Sequence, residues 1–293
     1  MSARSRSTLA RIGSSLFNES SIEIDQGHMS LTLETPDARR LERSPLDVVV
    51  AQVRHDSRLV VSDSSLARAV QGELGGPDGR YRHVEQVMAA AMFNVVVGGP
   101  NATTASTESQ LTGWRLRDDD GRWVVTLMPD HFGLETTRYT TWDEDFGPRL
   151  AEVIDAVAKH VKPAFEQRLG LRYVDRITDP EVDSVTGWKG RIRSELLGPI
   201  CHPDLGEAVI GAQQQILFDL GDEALATLRH GPLRDAQSQK VSYLLDFDVY
   251  RQVGRAFDTE TVKTAFQSFN LLGLQLFQAA IESPLLGYLR GDA

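Results

Sequence analysis

The chain has 293 residues, 41% apolar and 25% charged, with a formal net charge of −10. That composition is globular and supports one large core or two small ones, while the acidity disfavours extended nucleic-acid binding, which needs a basic surface to neutralise phosphates. Cys201 is the only cysteine, which excludes an intramolecular disulfide and a cysteine-based structural zinc site. A lone cysteine suits a reducing compartment, so the cytoplasm is the expected one, and no apolar run reaches the roughly 18 to 20 residues of a membrane span.

Residues 1–44 lack sustained periodicity and read as a disordered or loosely packed arm. Arg4, Arg6 and Arg11 among serines faintly resemble an organelle transit peptide, the apolar middle of a secretory signal is missing, and Met29 is a second candidate start. Residues 46–56 are β-branched and partly alternating, which predicts a strand. Ser62 is the expected N-cap of a helix over 64–74, closed by Gly75 and Gly76. The apolar run 83–97 is read as helix followed by loop, and the Gly, Asn, Thr and Ser of 98–109 as loop. Then come a strand at 114–117, a turn at Asp118-Asp119-Asp120-Gly121 and a strand at 123–128. The three aspartates read as turn residues, since no later Glu supplies calcium-loop spacing. A strand at 132–139 and a long helix at 142–168, kinked or ended by Pro163, complete this half.

The order then repeats, with a strand at 169–177, a shorter helix at 185–197, strands at 208–220, 224–228 and 241–253, and a long helix at 259–288. The expectation is an α+β fold of two β-α-β-β-β-α repeats, residues 45–168 and 169–293 in one globular unit. Curved antiparallel sheets with the long helices on one face would give a TBP-like or helix-grip-like arrangement. Leu134-Glu135 to Tyr139 and Leu245-Asp246 to Tyr250 share a pattern, so Tyr139 and Tyr250 are expected in corresponding places.

No phosphate-binding glycine loop, HExxH or GxSxG is present, and the seven histidines show no metal-ligand spacing, so neither cofactor nor metal is assigned. Cys201 and His202 are adjacent, and neighbours in extended chain point apart, which argues against a nucleophile and base pair. The polar set lies on strands. A period of two places Asp246 and Asp248 on one face, Gln213 and Gln215 share a face of another strand, and Arg172 shares one with Arg176. Arg54, Glu135, Arg176, Gln213, Gln215, Asp246 and Asp248 are the candidate binding residues. The weightier reading of them is a salt-bridged sheet face, in which Asp246 meets Arg54 or Arg176.

The segments Trp123-Val124-Val125-Thr126-Leu127, Leu134 to Tyr139 running into Thr141-Trp142, Leu169 to Ile177 and Leu244 to Val249, with the final helix around Leu276-Phe277, stand in one order. In this the chain resembles a sporadically distributed family of uncharacterised bacterial proteins, and the resemblance covers nearly everything from residue 46 onward. It implies no activity. The family's scattered occurrence resembles that of genes in mobile elements, phages and defence or toxin-antitoxin loci. The sequence is therefore read as a non-catalytic binding or regulatory protein of unknown partner, acting on a protein or as a sensor in such a setting. The alternative is a small-molecule-binding protein or enzyme with a pocket between the sheet and the long helices.

Overall fold

A computed structural model describes residues 33–90, 109–235 and 237–292. The transit-peptide reading, the alternative start at Met29 and all but the last residue of the 98–109 loop lie outside these. The described residues form an α+β fold, a ten-stranded antiparallel sheet that is not closed among them, with helices. Strand β1 (Leu46–His55) and helix α1 (Ser64–Glu73) stand where the pattern puts them. The cap of α1 is Asp63, not Ser62, because the Asp63 carboxylate accepts a 2.8 Å hydrogen bond from the Ser65 amide.

Residues 83–90 correct the expected helix: they form strand β2 (His83–Ala90), paired antiparallel with β3 (Ser109–Arg117). The Met and Ala content favours helix, but the ladder to β3 outweighs that weak preference. The predicted hairpin joins β3 to β4 (Trp123–Leu127); Gly121 takes φ +65°, and Asp118 accepts from the amides of Arg122 and Trp123. After β5 (His131–Thr136), a π-helical turn over Trp142–Phe146 leads into α2 (Gly147–His160). This helix ends well before the predicted 168, because Lys162 adopts φ +55° and Pro163 follows. Residues 165–168 instead open β6 (Phe165–Ile177).

The predicted helix 185–197 shrinks to a turn at Thr186–Trp188 and the short α3 (Ser194–Leu197). Gly190 and Gly198, both at positive φ, interrupt any longer run. Strands β7 (Gln214–Gly221), β8 (Ala224–Arg234), β9 (Val241–Arg251) and the short β10 (Arg255–Ala256) follow. The last predicted helix is two, α4 (Thr259–Ala280) and α5 (Ser283–Arg290). Ile281 between them is extended, and Pro284 starts the second.

The strand order is β2-β3-β4-β5-β1-β6-β9-β8-β7, with β10 on β6. One face buries Val49, Ala51 and Val53 of β1, Leu169 and Leu171 of β6, and Leu245, Phe247 and Val249 of β9. Helix α2 packs on β5 and α1, while α4 lies on β6 and β9. The other face carries the polar set. No helix among the described residues is long and apolar enough to cross a membrane.

Of the arm, residues 33–44 run along α4 and α5, and Leu33 and Leu41 pack against the core. The Asp37 amide donates to Gln278 Oε1 at 3.0 Å, and Gln278 donates back to the Asp37 carbonyl at 2.7 Å. Arg290 reaches the Asp37 carboxylate at 2.9 Å, and the Arg43 amide donates to the Leu289 carbonyl. At the opposite end of β6, Glu166 is 1% exposed and accepts from Arg251, with Arg255 Nε at 3.7 Å. Its second oxygen has no partner among the described residues, and burial pushes its pKa up.

Candidate functional site

On the polar face the register decides which charges meet. Arg172 stands opposite Asp248 and Val174 opposite Asp246 across β6 and β9, while Arg229 of β8 stands opposite Asp246. Asp246 is 3% exposed and accepts two hydrogen bonds from Arg172, through Nε and Nη2, each 2.7 Å. Arg229 lies 3.7 Å from the same carboxylate. The expectation that Asp246 meets Arg54 or Arg176 is corrected: Arg176 pairs with Asp47 at 2.8 Å, and Arg54 stands 3.8 Å from Asp130. Long arginine side chains reach diagonally across strands, so the partner is the residue one pair away and not the one aligned by sequence similarity.

Asp248 accepts from Arg168 at 2.8 Å, and the Arg168 guanidinium lies 4.7 Å above the Tyr250 ring. Glu135 is exposed on β5 opposite Val50 and Val124. Gln215 is exposed on β7 opposite Arg229, and Gln213 precedes that strand. The structure thus gathers Asp246 and Asp248 with Arg168, Arg172 and Arg229, and leaves Arg54, Glu135 and Gln213 apart from them. Replacing Asp246 by Ala removes two charged hydrogen bonds and is expected to cost about 2–3 kcal/mol in urea unfolding. Glu135→Gln is expected to stay within about 0.5 kcal/mol of wild type. Equal effects would mean that the buried pair contributes nothing beyond a surface charge.

Tyr139 and Tyr250 do not occupy corresponding places. Tyr250 lies within β9 on the polar face, whereas Tyr139 lies beyond the end of β5 and packs edge-on against Tyr173, ring centroids 6.1 Å apart. That packing lines a cavity of about 400 Å³ on the helix side of the sheet. Its floor is Tyr173, Asp175 and Phe247, its walls are Tyr139, Trp142 and the Asn270–Phe277 stretch of α4, and the arm from Ala38 to Leu46 closes the remaining side.

Each wall has a local cause. Thr141 caps the π-helical turn by accepting from the Glu144 amide, which fixes Trp142 at the turn's start, and the Trp142 indole donates to Gln267 of α4. The Tyr173 hydroxyl donates to Asn270 Oδ1 at 2.8 Å. Gly273 lets α4 lie directly on that ring, since a Cβ there would stand 3.1 Å from it. Burial pushes the Tyr139 hydroxyl up to about 12 and the Tyr173 hydroxyl well above its ordinary range.

The group without an obvious structural reason is Asp175. It is 6% exposed, and nothing among the described residues donates to it or pairs with it. Burial, followed by repulsion from Asp47 and Asp246, pushes its carboxyl from 3.8 up to about 8. At neutral pH it is therefore largely a neutral acid, a hydrogen-bond donor and acceptor lining the cavity beside aromatic rings. The residues are apt for seating a ligand with a polar or charged head. They hold no nucleophile and base pair, and among the described residues no three His, Cys, Asp or Glu cluster as a metal would need.

The chain's pattern carries one signal for this site. In β6 the alternation puts Leu169, Leu171, Tyr173, Asp175 and Ile177 on one side, so Asp175 is a lone acid in an apolar register. Comparison with family models, with curated proteins and with solved structures gives no match.

Proposed function

We propose that this is a non-catalytic binding protein whose ligand is a small molecule seated between the sheet, α4 and the arm. The observation that carries the reading is Asp175, a carboxyl more than nine-tenths buried and without a partner among the described residues, lining a cavity of about 400 Å³. Such a group costs stability unless something compensates it, and a cavity of that size suits a small ligand. The resemblance to a family with the occurrence of mobile-element and defence genes supports a sensor in that setting, with the polar sheet face left for a protein partner. The strand order supports the two-repeat reading in part: β1 and β6 pair at the middle and β5-β4-β3 beside β1 mirrors β9-β8-β7 beside β6, while β2 is an extra strand and Tyr139 and Tyr250 fall at different points of the mirror. That mirrored order is the reason to propose a TBP-like arrangement.

Ligand-observed NMR with a library of small amphiphilic fragments tests the cavity. Leu274 lines it and is half-buried, so Leu274→Trp has room to fill the space without displacing the core. Fragments are expected to bind wild type and to lose binding in Leu274→Trp. A library that binds neither protein, or both equally, overturns the reading.

A further inference from the structure

We propose that the ligand is a small organic cation, an alkylammonium or alkylguanidinium, whose charge is received by Asp175 and whose carbon groups lie against Tyr139, Trp142 and Tyr173. The inference rests on the cavity reading above and adds the sign of the ligand's charge.

The lining combines the two elements that recognise such ions. Aromatic faces carry negative electrostatic potential and attract a desolvated cation. A carboxylate supplies the compensating charge, and its burial makes that charge matter more than it would in water. Of the acids whose charge reaches Asp175, Asp47 is paired with Arg176 and Asp246, on the opposite face of the sheet, with Arg172, so among the described residues no free cation of these strands faces Asp175, and α4 presents Asn270 and apolar groups. At the mouth, Glu42, Asp143 and Glu144 stand against Arg39 and Arg40. Arg39 is engaged with Asp37 at 3.0 Å. With Asp175 ionised the lining carries four acids against two arginines, which disfavours an anion. A neutral ligand can hydrogen-bond only the protonated acid, whereas a cation supplies the charge that the ionised form lacks.

Binding moves one proton. Asp175 releases its proton to the buffer as the cation enters, and the ion pair replaces the neutral acid. The cation's affinity is therefore expected to rise with pH, roughly tenfold per unit below the carboxyl's value of about 8, and to level off above it.

The test uses the full chain and two matched probe pairs: choline with its uncharged carbon isostere dimethylbutanol, and phenethylamine with phenethyl alcohol. Calorimetry at about pH 8.5 is expected to show each cation binding at least ~10-fold tighter than its neutral partner. Repeating the choline titration in buffers of different ionisation enthalpy should show release of about one proton near neutral pH, a measurement that needs no variant. Asp175→Asn has the shape of the protonated acid, so it should fold, keep the alcohols and lose the preference for the cations. Neutral probes that bind as tightly as the cations, or choline binding without proton release, overturn the cationic ligand while the cavity reading stands. Fragments that bind where neither cation does have the same consequence. If neither probes nor fragments bind, both readings fall. A ligand-free Asp175 already ionised at about pH 6.5 also overturns the inference, because a cation of the chain itself, Arg40 at the mouth, would then occupy the site.

Discussion

Asp175→Asn is expected to stabilise the ligand-free protein, by an amount that grows with pH. The ordinary carboxyl value is 3.8 and the folded value about 8, so between these the folded chain holds a proton that the unfolded chain has lost. A state that binds more protons loses stability as protons become scarce, so wild-type stability falls across this window by at most about 1.4 kcal/mol per pH unit. Above about 8 both states are ionised and the full penalty, at most about 6 kcal/mol, is in place. Asparagine mimics the neutral acid and does not titrate. The two proteins should therefore unfold alike at about pH 4 and diverge steadily towards pH 8, with the variant the more stable. Urea titrations at three pH values suffice, and parallel pH profiles would show that Asp175 is neither buried nor uncompensated. The sign is unusual for a conserved-volume change at a buried acid, and it follows from the carboxyl having no partner to lose.

Arg251→Met is expected to have the opposite sign and a comparable size. Glu166 is 1% exposed, and Arg251, itself 11% exposed, is its principal counter-ion. Removing one partner of a buried pair leaves an uncompensated charge, which costs about 3–5 kcal/mol. Arg255 stands at 3.7 Å and offsets part of this, so the lower end of the range is the expectation. Burial already raises the Glu166 pKa, and without Arg251 it should rise further. The variant's deficit should therefore shrink in acid, where Glu166 takes up a proton, and be largest above neutrality. Adding Glu166→Gln should recover most of the loss. A single variant within about 1 kcal/mol of wild type at neutral pH would show that the pair is solvated after all.

How far these features could be read in the sequence depends on whether local pattern or register governs them. β1, the β3–β4 hairpin, β5, β6 and β9 carry alternation or turn chemistry that survives folding. β2 does not, because the Met and Ala of 83–90 suit a helix and only pairing with β3 makes them a strand. The short α3 region fails for a related reason: the apolar residues of 185–197 promise a helix, and the glycines that break it act through positive φ. At the polar face the residue types were legible and their partners were not. Asp246 meets Arg172 because β6 and β9 take one particular register, and a slip of one residue would turn each of these side chains to the other face. At the cavity, the lone acid in the Leu169–Ile177 alternation was visible. The arm that closes the space above it was not, since residues 33–45 show no period and owe their place to α4 and α5.

The pairing of β1 with β6 bears on how the chain is made. Val49 lies beside Tyr173, so β1 finds one neighbour, β5, early in synthesis and must wait for the other until β6 has emerged. Through that interval β1 is an edge strand, with unpaired amides and carbonyls available to any passing chain. Closing so long a loop is also slow, as for other long-range sheet contacts. The middle of the finished sheet is thus its most exposed margin during translation, and the nascent first half is the stage at which this protein is most open to mispairing.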